Sequence, residues 1–565
     1  PAEIADADIA SLARFQTGSI AGMTYSIRSD AGSVTNSTAN KLNGTTLAIN
    51  GLTGVTLAAD LSLVSLDVTG ATTLSADLTT GSGPMRFRNA VALGASNRSL
   101  TGGAVTFDST IASTGGGVAI ANSGTLTLGG AVSLTGAGAF TQSGTGGVAL
   151  SANVSTQNQN VSFNGPITVG GTATVDSGTA TIAIADDVNL AANTLTLTGD
   201  EINFSGGAGS ISGSGGSIVL QPSASGVTIG VAGGAGTLDL SSTDIAALGT
   251  GINSIAIGRA AGNHAITINS TAFNSATTFR AGAAGTIAVN GNLGGNGSAS
   301  LAFIGTTTLN ADIVTANNAI TITGDVVLGA AQSLYTLDTT ANGSGAGANI
   351  SVSGTINGES AGTRAISLRA GAGDISAGNV GGTNRLNSLT ITSADDATFG
   401  TVNADTIVQT AGTGTTTLGD ITAATEVNLV GTNFDFQDAT VASLDFFVQN
   451  SGVATFNGDV TTTAGAFAQA GTGTVSLGGD ITTGLGVDFA GAITLTGDAA
   501  ITSSGGVVFF GSAIDRAHDL SVSGGDMQFA GDIGATSALD AFSVTGDNVT
   551  FTGSARATTI NVSAD

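Results

Sequence analysis

The 565 residues carry 39 acidic against 13 basic side chains, a formal net charge of −26, which leaves no basic stripe for the phosphates of a nucleic acid. Cys is absent, so disulfides and thiol chemistry are excluded, while 88 Gly stand against only 4 Pro. A disordered low-complexity chain is excluded as well, because 41% of the residues are apolar and alternate with Thr, Ser and Asn.

The acids are themselves biased. Only Glu3, Glu201, Glu359 and Glu426 are glutamates, and the rest are Asp. Asp bonds to nearby backbone in turns, so the charge is expected at corners rather than on helices. No apolar run is long enough to cross a membrane, and Pro1-Ala-Glu-Ile-Ala-Asp6 has neither the basic start nor the apolar stretch of a signal peptide. The chain therefore reads as a processed segment of something larger.

In chain order, Ala7-Asp-Ile-Ala-Ser-Leu12 predicts a short helix near residues 5–15. Thr243-Asp-Ile-Ala-Ala-Leu248 repeats the phrase and predicts a second capped helix at 242–249, leading into a strand. The second copy places a module boundary near 238, giving modules 1–237 and 238–565. Thr45-Thr-Leu-Ala-Ile49, Val55-Thr-Leu57 and Leu61-Ser-Leu-Val-Ser-Leu66 alternate with period 2 and predict short strands. Gly83-Pro-Met-Arg-Phe-Arg88, a basic island, reads as a loop whose arginines pair with nearby Asp.

A recurring phrase then takes over: an apolar residue, a small residue, Gly, often Asp, then Ile or Val. Phe456-Asn-Gly-Asp-Val460, Leu477-Gly-Gly-Asp-Ile481 and Leu495-Thr-Gly-Asp498 follow at steps of 21 and 18 residues. A period of this size indicates a solenoid. One coil of two or three short strands cannot bury its apolar side chains alone, so the next coil must stack on it. The predicted fold is all-β, a right-handed parallel β-helix of about 20 residues per coil and roughly 28 coils. In that register Phe489 and Phe510 should sit one coil apart on the same face. Thr-x-Thr strands such as Thr194-Leu-Thr-Leu-Thr198 drift in phase along the sequence, which argues against one flat Thr face of the kind an ice-binding surface needs.

The [Phe/Leu]-x-Gly-Asp-[Ile/Val] phrase, the strand ends Ile320-Thr-Ile-Thr-Gly-Asp325 and Leu195-Thr-Leu-Thr-Gly-Asp200, and the Asp-Ile-Ala-x-Leu … Ser-Ile-Ala element together resemble the β-strand-repeat exoproteins of Gram-negative bacteria. That group includes filamentous-haemagglutinin-like adhesins and large autotransporter passengers. The resemblance covers nearly the whole chain. It implies a secreted or cell-surface protein serving as adhesin stalk or self-assembling fibre. Its partners would be copies of itself, further coils of a longer chain, or surface polysaccharide.

The alternative is a β-helical protein that binds or cleaves polysaccharide, by lyase or hydrolase chemistry. Such sites need clustered carboxylates as an acid–base pair or as Ca²⁺ ligands. The local clusters are Asp186-Asp187, Asp200-Glu201, Asp395-Asp396, and Asp435 with Asp438. Asp186, Asp187, Asp395 and Asp396 are the Ca²⁺ candidates. His264 and His518 have no third partner in the sequence, a lone His on a repeat being expected at the surface, and no catalytic residue is assigned. Stacked Gly-Asp steps at Asp420, Asp459, Asp480, Asp498, Asp526, Asp532 and Asp547 would form acidic ladders, and cations would relieve their repulsion.

Overall fold

The structure is a computed structural model describing residues 7–8, 22–29, 33–36 and 44–564. The dominant element is a strand of three to five residues in which every second side chain turns inward. In Val105–Phe107, for example, Val105 and Phe107 are buried and Thr106 is not. Each strand pairs in parallel with its counterpart one coil later, so like residues stack on like: Leu126 lies on Val148, and Leu128 on Leu150. The chain makes about 25 turns of about 21 residues, a parallel β-solenoid with almost no helix. Coils are therefore slightly longer and fewer than the sequence period implies. The reason is local: between Ser217 and Ser254 one coil takes 37 residues, and between Asp325 and Thr355 one takes 30.

The chain divides into two compact units, 1–285 and 286–565. The boundary read from the sequence, at 237/238, lies inside the first. In unit 1, one face is a ten-stranded parallel sheet running from Thr24–Ser29 to Ile211–Ser212. Further strand series such as Ile111–Ser113 and Val118–Asn122 close the coil. Unit 2 is built alike; one coil comprises Thr474–Leu477, Ile481–Thr483 and Val487–Phe489.

Ser242–Ala247 is the expected capped helix, α1. Ser241 caps its N-terminus, and the buried Asp244 carboxylate returns the bond to the Ser241 N–H while also accepting from the Phe204 N–H at 2.7 Å. The helix expected near 5–15 lies mostly outside the described residues, and the two that are described, Ala7 and Asp8, form a strand paired with Val34 and Thr35. The basic island is also not a loop. Met85–Phe87 is a strand of the ten-stranded sheet, because Met-Arg-Phe-Arg alternates and drives Met85 and Phe87 into the core.

The narrow interior of unit 2 is filled by stacked rings. Phe489 and Phe510 are in direct register, with centroids 5.7 Å apart and planes 8° apart, and both are buried. The stack continues through Phe529 to Phe551 at 4.9 Å per step. A second pair, Phe436 over Phe456 at 5.0 Å, meets this region edge-on through Phe446.

Candidate functional site

Parallel stacking leaves each corner amide facing the preceding coil, and short polar side chains meet it there. The Asp459 N–H donates to Asp438 Oδ1 at 2.9 Å, the Asp480 N–H to Asp459 Oδ1 at 2.8 Å, and the Ala500 N–H to Asp480 Oδ1 at 2.7 Å. Asp498 accepts likewise from the Asp519 N–H, and Asp532 from Ser554, whose backbone N–H and hydroxyl hold the Asp532 carboxyl below its ordinary range. Asn does the same work, as at Asn153, Asn379 and Asn433. Asp and Asn, one methylene shorter than Glu and Gln, supply most of these acceptors, in keeping with the Asp bias.

Asp420, Asp438, Asp459 and Asp480 occupy one column, each directly preceding residues paired in register. Beside it runs an outward hydroxyl column, Thr422, Thr440, Thr461, Thr482 and Thr502, continuing through Ser523 and Thr545. The phase drift of Thr seen in the sequence is thus removed by stacking, since coils of unequal length still align their strands. It remains a single column, flanked by carboxylates.

Three of the four Ca²⁺ candidates accept hydrogen bonds within the solenoid. Asp186 Oδ1 accepts from the Asp187 N–H, Asp395 Oδ1 from the Thr413 hydroxyl, and Asp396 Oδ1 from the Thr415 N–H. Among the described residues, no three of the His, Asp and Glu side chains gather closely enough to hold a metal ion. The corner carboxylates serve as acceptors for backbone amides of the next coil. Asp480→Ala should cost about 1 kcal/mol, whereas Asp480→Asn should be neutral or better, because the acceptor survives and repulsion from Asp459 is relieved. Chemical denaturation of the three proteins in parallel checks it; equal losses for Ala and Asn would assign the effect to charge instead.

Of the remaining sequence candidates, Glu201 lies beside Asp239 of the adjoining strand. Burial raises its carboxyl above the ordinary value, a bond from Asn203 opposes this, and Asp239 and Asp244 add to it. Among the described residues, no basic side chain forms an ion pair with it. The arginines of the island pair as expected: Arg88 grips Asp67 with two bonds of 2.9 and 2.7 Å, and Arg86 meets Asp108 at 2.8 Å. His518 sits 3.5 Å from Asp498 on the surface.

His264 is the reverse of the expected surface residue. It is 1% exposed, its Nδ1 donates to Val227 O at 2.7 Å, and its Nε2 accepts from the Arg259 N–H at 3.3 Å. Both nitrogens are used by the neutral ring. Burial lowers its pKa below 6.5, Val227 O partly opposing this and Arg259 adding to it. The unfolded chain then binds this proton more readily, so the stability tied to His264 is present above pH 6.5 and is lost as pH falls below it. The Tm advantage of wild type over His264→Gln should shrink between pH about 7.5 and about 5.5. An advantage that stays constant across that range would contradict it.

The sequence reading missed the buried amides. In unit 2, Gln469 Nε2 donates to Asn450 Oδ1 at 2.7 Å, Asn450 Nδ2 donates to Gly452 O and Thr474 O, and Gln469 Oε1 accepts from the Gly491 N–H. Unit 1 repeats the arrangement with Gln142 on Asn122 at 2.7 Å. All four residues are 1% exposed. They satisfy turn groups that glycine brings close; a Cβ on Gly473 would lie 2.4 Å from Asn450 Nδ2. The available signal was the pair Phe140-Thr-Gln-Ser-Gly-Thr-Gly146 and Phe467-Ala-Gln-Ala-Gly-Thr-Gly473.

Comparison with known proteins finds no matching family model, no similar curated protein and no similar solved structure.

Proposed function

We propose that this chain is a structural protein of the bacterial exterior, a β-solenoid that serves as an adhesin stalk or as the repeating part of a self-assembling fibre, in the manner of the β-strand-repeat exoproteins it resembles. One observation carries the reading. The polar groups are spent on holding coil to coil: corner carboxylates on backbone amides, buried amides on turn carbonyls, arginines on neighbouring Asp. A scaffold needs those bonds, and little remains that could do chemistry. Absence of Cys suits export, and the excess of acidic side chains keeps such stacks soluble.

The test is localisation and electron microscopy of the native material. Antibody labelling at the cell surface together with filaments or stalks of repeating subunit supports the reading. A protein confined to the cell interior, or turnover of an oligosaccharide panel by the purified chain, overturns it.

A further inference from the structure

Nearly all phenylalanines on described strands point inward, but Phe447 and Phe509 do not. Each belongs to a doubled Phe, Phe446-Phe447 and Phe509-Phe510, and in an alternating strand one ring of each pair must face out. Phe446 and Phe510 are buried; Phe447 and Phe509 are partly exposed and, among the described residues, stack on no other ring. The two fall in one column of one face of unit 2. Asn428 pairs with Phe447, Phe447 with Ala468, Ala468 with Asp488, Asp488 with Phe509, and Phe509 with Gln528. Three strand spacings separate the rings, about 14 Å.

The surroundings are specific. On one side of the column lie Gln449 and then small residues, Ala470, Ala490 and Gly511, whose successive amides bond coil to coil. Gly511 has a purpose here, since a Cβ on it would lie 3.1 Å from Phe509 Cε1; without one, the ring rests against the backbone. On the other side, at the corner, are the exposed apolar residues Leu444, Leu485 and Val507. Asp488 stands between the rings, and burial raises its carboxyl above the ordinary value. From Leu386 to Asp515 the sequence contains no Lys, Arg or His.

We propose that the face carrying Phe447, Asp488 and Phe509 is a binding platform for a neutral polysaccharide. Flat rings in line with a regularly spaced backbone present apolar surface to the C–H faces of successive sugar rings, and Asp488, Gln449, Gln528 and Asn428 offer hydrogen-bonding groups to their hydroxyls. Ala470 and Ala490, beside the column between the two rings, leave a shelf for the chain to lie on. The charge decides the class of ligand: with acids and no cation along this stretch, sulfated and uronic acid polymers are repelled. It equally disfavours a second copy of the same face, which would set Asp488 against its like. This goes beyond the scaffold reading and does not depend on it.

The full chain lacks Trp, so a single Phe509→Trp substitution gives a clean reporter at the site. Titration with soluble neutral polysaccharides (hydroxyethyl cellulose, galactomannan, xyloglucan) should shift its emission to the blue and shield it from acrylamide. Heparin and alginate should leave it unchanged. In affinity electrophoresis Phe447→Ser/Phe509→Ser should lose at least about tenfold in affinity, while Phe447→Tyr/Phe509→Tyr retains it and Phe551→Ser is without effect. The proposal is overturned if no neutral polymer of the panel binds wild type, if only charged polymers bind, or if the double Ser variant, folded by circular dichroism, binds as wild type does. It is equally overturned if sedimentation shows those two substitutions dissociating an oligomer, because the occupant is then a second copy.

Discussion

Replacing Phe489 with alanine is expected to destabilise the coils around it by about 3–5 kcal/mol, the usual cost of removing a large buried aromatic side chain. The ring is fully buried and touches two others, Phe467 at 4.9 Å and Phe510 at 5.7 Å. Collapse into the cavity is restricted, since the strands above and below are held in register by their ladders. Solenoids unfold in sections, so the effect is best read as local amide exchange. Protection should fall across 467–510 and hold in unit 1. Phe489→Leu, which refills most of the space, should recover more than half of the loss. A uniform loss of protection along the whole chain would show that the stack unfolds as one block and would refute the local account.

The second large effect concerns a polar residue. Gln469→Leu should cost about 2–6 kcal/mol, because it orphans a buried acceptor, Asn450 Oδ1, and the Gly491 N–H, each worth about 1–3 kcal/mol when left unpaired. On a hydrophobicity scale the substitution looks favourable, so the sign of the result discriminates well. Gln142→Leu offers an independent replicate in unit 1. Gln437→Leu, at an exposed position, should change stability by less than about 0.5 kcal/mol. If Gln469→Leu and Gln437→Leu behave alike in urea unfolding, the buried amides contribute nothing specific.

What could be read from the sequence depended on whether the controlling interaction was periodic. The coil, the register of Phe489 on Phe510 and the cap of α1 were legible because alternation, repeat length and capping residues are local patterns. The basic island was half legible: its Asp partners were expected, but Gly83-Pro84 drew the reading toward a loop when the alternation of the next four residues made a strand. His264 was misplaced because its burial comes from the 37-residue coil, where Val227 and Arg259 close over it. That insertion has no counterpart in neighbouring coils, so no repeat announces it. The columns, whether Thr422 to Thr502 or Phe447 to Phe509, were invisible for another reason: unequal coil lengths scramble in sequence what the ladders restore in space.

The corner bonds have a direction. In nearly every case the side-chain oxygen belongs to the earlier coil and the amide to the later one, as in Asp438 to Asp459, Asp459 to Asp480 and Asp498 to Asp519. A cut across the stack therefore yields two unlike surfaces. The one facing the C-terminal direction displays carboxylates awaiting donors, and the one facing the N-terminal direction displays N–H groups awaiting acceptors. Two such stacks meeting tip to tip satisfy each other only head to tail; a two-fold symmetric meeting sets carboxylate against carboxylate. The association this chemistry permits is heterologous, and a heterologous contact that does not close on itself continues without a built-in limit.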